Sequence, residues 1–259
     1  MNRFTCCLDG QSLAALDPAI MITDVTEYAP EVEMHTVRTP RGLRYTDAQR
    51  QSLTVSVTFV VRERSVMRRA AILQKIAAWA EGTLLTLGHQ PGQQLPCVCT
   101  MLPEPGSALK WTAPLQVAFT AYACPWWEAA QPATAWITPA TTQGSAVLQP
   151  VGSAKHTPVE AIVYNQSAET VQELALVCGE TRMAFIGLNM LPGERLHVAH
   201  DKHGCLTLTI LGERSRSVMH LRTADSHDEL LARCSAANVV SVSSDHPVTA
   251  KFAARGRFA

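Results

Sequence analysis

The chain has 259 residues, 47% of them apolar, and its 22 Lys plus Arg are balanced by 22 Asp plus Glu. That length supplies core material for two domains, and zero formal charge excludes recognition of nucleic acid or an anionic membrane by bulk electrostatics. No run approaches the ~20 apolar residues of a spanning helix, and MNRFTCCLDGQS lacks a signal-peptide core, so a soluble protein folding in a cytoplasm is expected.

In chain order, IMITDVTEYA (20 to 29), VEMHTVRT (32 to 39) and SLTVSVTFVV (52 to 61) alternate apolar and polar residues and are predicted strands. Between the last two lies PRGLRYTDAQRQ, bearing Arg41, Arg44 and Arg50 beside Tyr45. It is either a solvated hairpin tip or a docking loop. RSVMRRAAILQKIAAWAEG (64 to 82) changes period. Val66, Ile72, Leu73, Ile76, Trp79 and Ala80 form an apolar stripe at helical spacing, with Arg68, Arg69 and Lys75 opposite and Gly82 as a stop. TLLTLG (83 to 88), LPCVCTML (95 to 102) and LQVAFTAYA (115 to 123) return to strand. Pro125 then ends the sheet just before Trp126 and Trp127.

Residues 1 to 128 therefore read as an α+β domain with one packed helix. Residues 129 to 158, rich in Pro, Ala, Thr, Gly and Ser, read as a linker or seam in which ATAWIT and SAVLQP are candidate short strands. From 159 to 259, seven or eight short segments from PVEAIVYNQS to PVTAKFAARGRF, separated by Gly, Asn, Asp and Ser turns, predict a β-sandwich. DKHG (201 to 204) is a hairpin turn, RSVMHLR a strand, and SHDELLARC the one helix candidate of this part.

No catalytic, cofactor or metal site is expected. Of eight cysteines, Cys97 and Cys99 form a C-x-C without the second pair that a structural zinc site needs. His197, His200 and His203 sit in HVAHDKHG, but on a strand the odd offset sends His197 and His200 to opposite faces. Glu31 and Glu33 share a strand face that reads as solvated, and no nucleophile elbow, zinc-protease motif or phosphate loop occurs.

TDVTEYAPEVE, the PRG hairpin, LTVSVTFVV, a helix ending in KIAAWAEG, APLQVAFTAYACPWWE, and a terminal region with LPGERLHV and LLARCSAANVVSVSSDHPVTAKFAARGRF together resemble the distal tail proteins of long-tailed, non-contractile bacteriophages. The resemblance covers nearly the whole chain. It departs at AANVVSV, where Ala236 and Ala237 stand in place of an expected glycine, which leaves that turn's geometry open.

The resemblance implies a mainly β protein: an N-terminal ring-forming domain followed by a galectin-like β-sandwich. It implies a structural protein of the virion, made in the host cytoplasm and placed at the distal end of the tail. Six copies would form a hub ring joining the tail tube protein to the tip protein, with tape-measure and receptor-binding proteins as further partners. Arg41, Arg44, Tyr45 and Arg50 are then the candidate contacts with the next subunit. Trp126 and Trp127 are candidates for fixing the sandwich on the ring domain, or else are core aromatics of one domain. Two alternatives remain: a tail tube subunit, and a carbohydrate-binding sandwich. Against the second, residues 159 to 259 hold no tryptophan and one tyrosine, Tyr164.

Overall fold

The computed structural model describes residues 4–104, 106, 109, 113–138, 142–201 and 204–258, and the chain divides into two units, Met1–Trp127 and Glu128–Ala259. In the first, β1 (Cys6–Leu8), β2 (Gln11–Ser12), β3 (Ile20–Glu27), β4 (Glu31–Thr39) and β5 (Gly42–Val61) precede the helix α1 (Val66–Trp79). β6 (Leu84–Leu87), β7 (Gln93–Pro96), β8 (Val98–Met101) and β9 (Leu115–Ala121) follow. One sheet has the order β3-β5-β9-β8, with β4 paired to β5, and a second includes β2-β1-β6-β7.

Alternation in SLTVSVTFVV turns Leu53, Val55, Val57 and Phe59 to one face, where all are buried. The same face receives Val117 and Phe119 of β9, each with no exposed surface. Helix α1 brings Ile72, Ile76 and Trp79, and the Trp79 ring meets Phe119 edge-on at 5.6 Å while its indole N–H donates to the Gln11 carbonyl at 2.8 Å. Each such side chain contributes roughly 1.5–3 kcal/mol by burial.

The helix differs from its predicted stripe at two positions. Val66 is exposed, whereas Arg69 is buried and donates to the Glu63 and Arg64 carbonyls at 2.5 and 2.8 Å. The stripe runs 69, 72, 76, 79, and its first position lies beside the segment that enters the helix, whose carbonyls need donors. Ser65 caps the helix by accepting from the Arg68 amide.

LPCVCTML is two strands, not one. Cys97 donates its amide to Thr83 at the point where the chain leaves β7, paired with β6, and enters β8, paired with β9.

A short strand, β10 (Trp127–Ala129), lies at the unit boundary, and the stretch expected as a linker is built into the second unit. β11 (Ala133–Ile137) and β12 (Gln143–Leu148) come from it, then β13 (His156–Pro158), β14 (Glu160–Asn165), β15 (Val171–Cys178) and β16 (Thr181–Met190). β17 (Arg195–His200), β18 (Leu206–Leu211), β19 (Arg216–Ser217), β20 (Leu231–Arg233), β21 (Asn238–Ser244), β22 (Val248–Ala254) and β23 (Arg257–Phe258) complete it.

Two sheets, β11-β22-β14-β17-β18-β19 and β12-β21-β15-β16, turn their apolar faces into one core that joins Ile137, Val163 and Phe252 to Leu176, Phe185 and Val242. That arrangement is a β-sandwich.

SHDELLARC is not helical. Leu230 and Ala232 are buried two residues apart, and Leu231–Arg233 pairs with β13. RSVMHLR is β19 followed by a 3-10 turn at Met219–Leu221. In the DKHG turn, Gly204 takes φ 80° and donates to Asp201 at 2.9 Å; Lys202 and His203 lie outside the described residues. The turn before β21 has its positive φ, 54°, at Ser235, so Ala236 and Ala237 need none. Buried Asn238 holds it, donating to the Leu148, Arg233 and Ala236 carbonyls.

Candidate subunit interface

Strand β5 runs for 20 residues, and its pairing changes halfway. From Val55 to Phe59 it lies between β3 and β9; from Gly42 to Ser52 its partner is β4. The predicted loop PRGLRYTDAQRQ is therefore mostly strand, and the turn is confined to Pro40 and Arg41. Gly42, at φ 116°, starts the return, and the Thr39 hydroxyl donates to its carbonyl at 2.8 Å. The resulting hairpin arm is exposed along almost all of its length.

Its ladder slips twice, leaving Thr46 and Gln51 as extra residues on β5. Thr46 donates its hydroxyl to the His35 carbonyl, and Gln51 reaches the Glu33 carboxylate at 2.7 Å. Directly opposed residues share a face. Val32 opposes Arg50, Met34 opposes Ala48, Thr36 opposes Tyr45 and Arg38 opposes Leu43, so one face carries the apolar side chains Val32, Met34, Ala48, Tyr45 and Leu43, flanked by Arg38 towards the tip and Arg50 at the foot, with Thr36 among them. The other carries Glu33, His35, Val37, Arg44 and Gln49. Met34 and Leu43 are 72% and 73% exposed, so nothing in the described chain covers the apolar face. Exposed two-stranded ribbons are marginal in water, and clustered uncovered apolar residues mark contact surfaces.

The arm's base is fixed by both tryptophans. Trp127 is buried, and its indole N–H donates to Glu27 Oε2 at 3.0 Å where β3 ends. Glu27 also accepts from Gln90 Nε2 at 2.9 and 3.0 Å and meets His89 Nε2 at 2.7 Å. The Arg50 guanidinium carbon stands 3.5 Å from the centre of the Trp126 ring, a cation–π contact at the foot of the arm.

Of the expected interface residues, Arg41, Arg44 and Tyr45 are exposed on the arm, Arg44 on the face opposite Tyr45, while Arg50 has a partner within its own unit. Sequence reasoning missed Glu27, Met34 and Leu43. The available signal was the alternation V-E-M and L-R-Y across the predicted turn, diluted by arginines.

Among the described residues no cluster of three His, Cys, Asp or Glu is placed to hold a metal, and no helix is long and apolar enough to cross a membrane. Burial pushes the Cys6 and Cys97 thiols up to about 12. His200 faces Glu229 at 3.7 Å, on the opposite side of β17 from His197. In LPGERLHV, the Glu194 carboxylate accepts both Arg216 Nη1 and Nη2 at 2.8 Å and the Leu191 amide at 2.8 Å. The arginine's hydrogen bonds hold Glu194 below the usual carboxylate range.

No family model matches the sequence, and no curated protein matches it. Nine chains of solved structures match the fold, among them three that match along nearly all of this chain. The SPP1 Dit protein, described as a paradigm of hub adsorption apparatus in phages infecting Gram-positive hosts, shares 15% identity over 97% of this chain and 98% of its own, with TM-score 0.65. A chain of the phage p2 baseplate in its activated conformation with strontium shares 7% identity over 97% of each chain, with TM-score 0.53. The baseplate with calcium gives 7% identity over 98% of this chain and 97% of that one, with TM-score 0.50. The chain has the fold of these proteins from end to end.

Proposed function

We propose that this chain is a structural virion protein, the distal hub of a bacteriophage tail, which assembles into a ring between the tail tube protein and the tip protein. The observation that carries the reading is the hairpin arm. A soluble unit that spends two long strands on an uncovered apolar face has a surface suited to a neighbour, and one arm per copy makes a head-to-tail contact that closes into a ring. The end-to-end fold likeness to the SPP1 Dit hub supports the same reading, and the ring size of six is what the resemblance of the sequence to distal tail proteins implies. Tyr45, Met34 and Leu43 bury against the next copy, while Arg41 and Arg44 steer the approach. Tape-measure and receptor-binding proteins are the further partners, and no catalytic role belongs to the proposal. A tail tube subunit has less support: the likeness to a hub spans both units of this chain.

Native mass spectrometry tests it. Six copies of 28.1 kDa give an assembly of about 169 kDa, alone or together with tube or tip protein. Antibody label on the shaft or head of assembled tails, instead of the distal tip, would refute the assignment.

A further inference from the structure

The tryptophan expected to be absent from the sandwich is present. Trp136 lies in β11, within the stretch read as a linker, and β11 is an edge strand of the six-stranded sheet. Its side chain is on the sheet's outer face and is 53% exposed. Pairing registers define what shares that face. Trp136 opposes Lys251, Lys251 opposes Ile162, and Ile162 opposes His197; one step along, Tyr164 opposes Arg195.

This face repeats one device. Lys251 Nζ stands 5.2 Å from the centre of the Trp136 ring, and Arg195 Cζ stands 5.3 Å from that of Tyr164. Two strand spacings and two residues of rise separate the aromatic positions, about 12 Å between Cα atoms, so each ring-and-cation pair takes a different residue of a chain-like ligand. Neither cation forms an ion pair among the described residues, and Glu160, diagonal to Lys251, is the one carboxylate in these rows. On the strand that bears Arg195, His197 closes the row that starts at Trp136, and its Nε2 is buried without a hydrogen-bond partner among the described residues. Burial and the Arg195 charge lower the His197 pKa, which favours a neutral ring able to accept a hydroxyl proton or donate its own.

We infer that this face binds an acidic oligosaccharide, a chain of uronic-acid pyranoses whose rings lie on Trp136 and Tyr164 while their carboxylates meet Lys251 and Arg195. The aromatic faces accommodate the apolar side of a pyranose, the cations select carboxylate over neutral sugar, and His197 pairs with a ring hydroxyl. The site lies wholly within the second unit, and the arm within the first.

Titration calorimetry of the full chain tests this with oligogalacturonate, neutral maltoheptaose and inorganic polyphosphate as probes. Oligogalacturonate binds; Trp136→Ala and the double variant Lys251→Ala, Arg195→Ala each weaken it about tenfold or more, and Trp136→Phe by no more than about threefold. Should Trp136→Ala fail to fold, the solvent-facing double variant carries the test. The proposal is overturned if the wild type does not bind oligogalacturonate, or if Trp136→Phe binds no better than Trp136→Ala. It is also overturned if polyphosphate binds equally, meaning charge alone, or if maltoheptaose binds equally, meaning the cations select nothing. A wild-type self-association abolished by Trp136→Ala would give the face to a second copy and overturn it too.

Discussion

The two halves of β5 are one continuous strand in opposite circumstances. From Leu53 to Val61 every second residue is buried, and the strand partners are β3 and β9; from Gly42 to Ser52 the same backbone continues with β4 as its one strand partner among the described residues and with both faces largely exposed. The inner half has its shape imposed by burial, so its alternation is written in the sequence. The outer half has its shape imposed by the ladder with β4, and most of its residues are exposed. The same substitution chemistry should therefore split between the halves, into folding on one side and assembly on the other.

The largest effect is expected in the inner half. Phe59 is fully buried, so Phe59→Ala removes its transfer energy and leaves a cavity, costing about 3–5 kcal/mol in chemical denaturation. A loss below about 1 kcal/mol would mean that the inner half is not the core of its unit.

Next comes a contact that acts on the second unit alone. Arg216→Ala leaves the nearly buried Glu194 carboxylate with the Leu191 amide as its remaining donor, costing about 2 kcal/mol at neutral pH after allowance for the arginine's partial exposure. Because the folded-state pKa of Glu194 is depressed, its contribution is complete above the ordinary carboxylate range and is lost as pH falls through that range to the lower folded value. Wild type and Arg216→Ala should converge in stability as the pH falls. A difference unchanged down to acid pH would remove the ion pair from the account.

The sequence made the inner half, the helix and most strands of the second unit legible, because each has one buried face and therefore a period. It hid elements held by other means. The outer half of β5 has no buried face to impose alternation. Residues 129 to 158 have the composition of a linker, yet β11 and β12 pair with β22 and β21 through their backbones. SHDELLARC has helix-forming residues, but a β partner at His156–Pro158 overrides that propensity. Trp127 could be read as a large aromatic near a boundary; that its indole selects Glu27, 100 residues earlier, follows from the fold and from no local pattern.

A smaller effect belongs to the joint between the halves. Arg50→Ala or Trp126→Ala removes a partly exposed cation–π contact worth about 0.5–1 kcal/mol. Its loss should appear mainly as faster amide exchange in β4 and the outer half of β5, with the inner half unchanged. Equal acceleration in both halves would show that Trp126 supports the core and not the arm.

The smallest effect on stability, with the most to say about function, is expected on the arm itself. Met34 and Leu43 are already about three-quarters exposed, so converting both to serine removes almost no buried area and should leave the unfolding free energy within about 0.5 kcal/mol. Both lie on the apolar face, and in the proposed ring each copy presents that face once, so the double variant weakens every subunit contact. The assembled species should then fall away while the monomer keeps its melting temperature. Arg44→Ser, on the opposite face, is the control: a charge at a rim alters encounter more than lifetime, so it should slow assembly at low salt and leave dissociation unchanged. If Met34→Ser with Leu43→Ser instead melted the monomer, the apolar face would be packing within the chain, and the division of β5 into a folding half and an assembly half would fail.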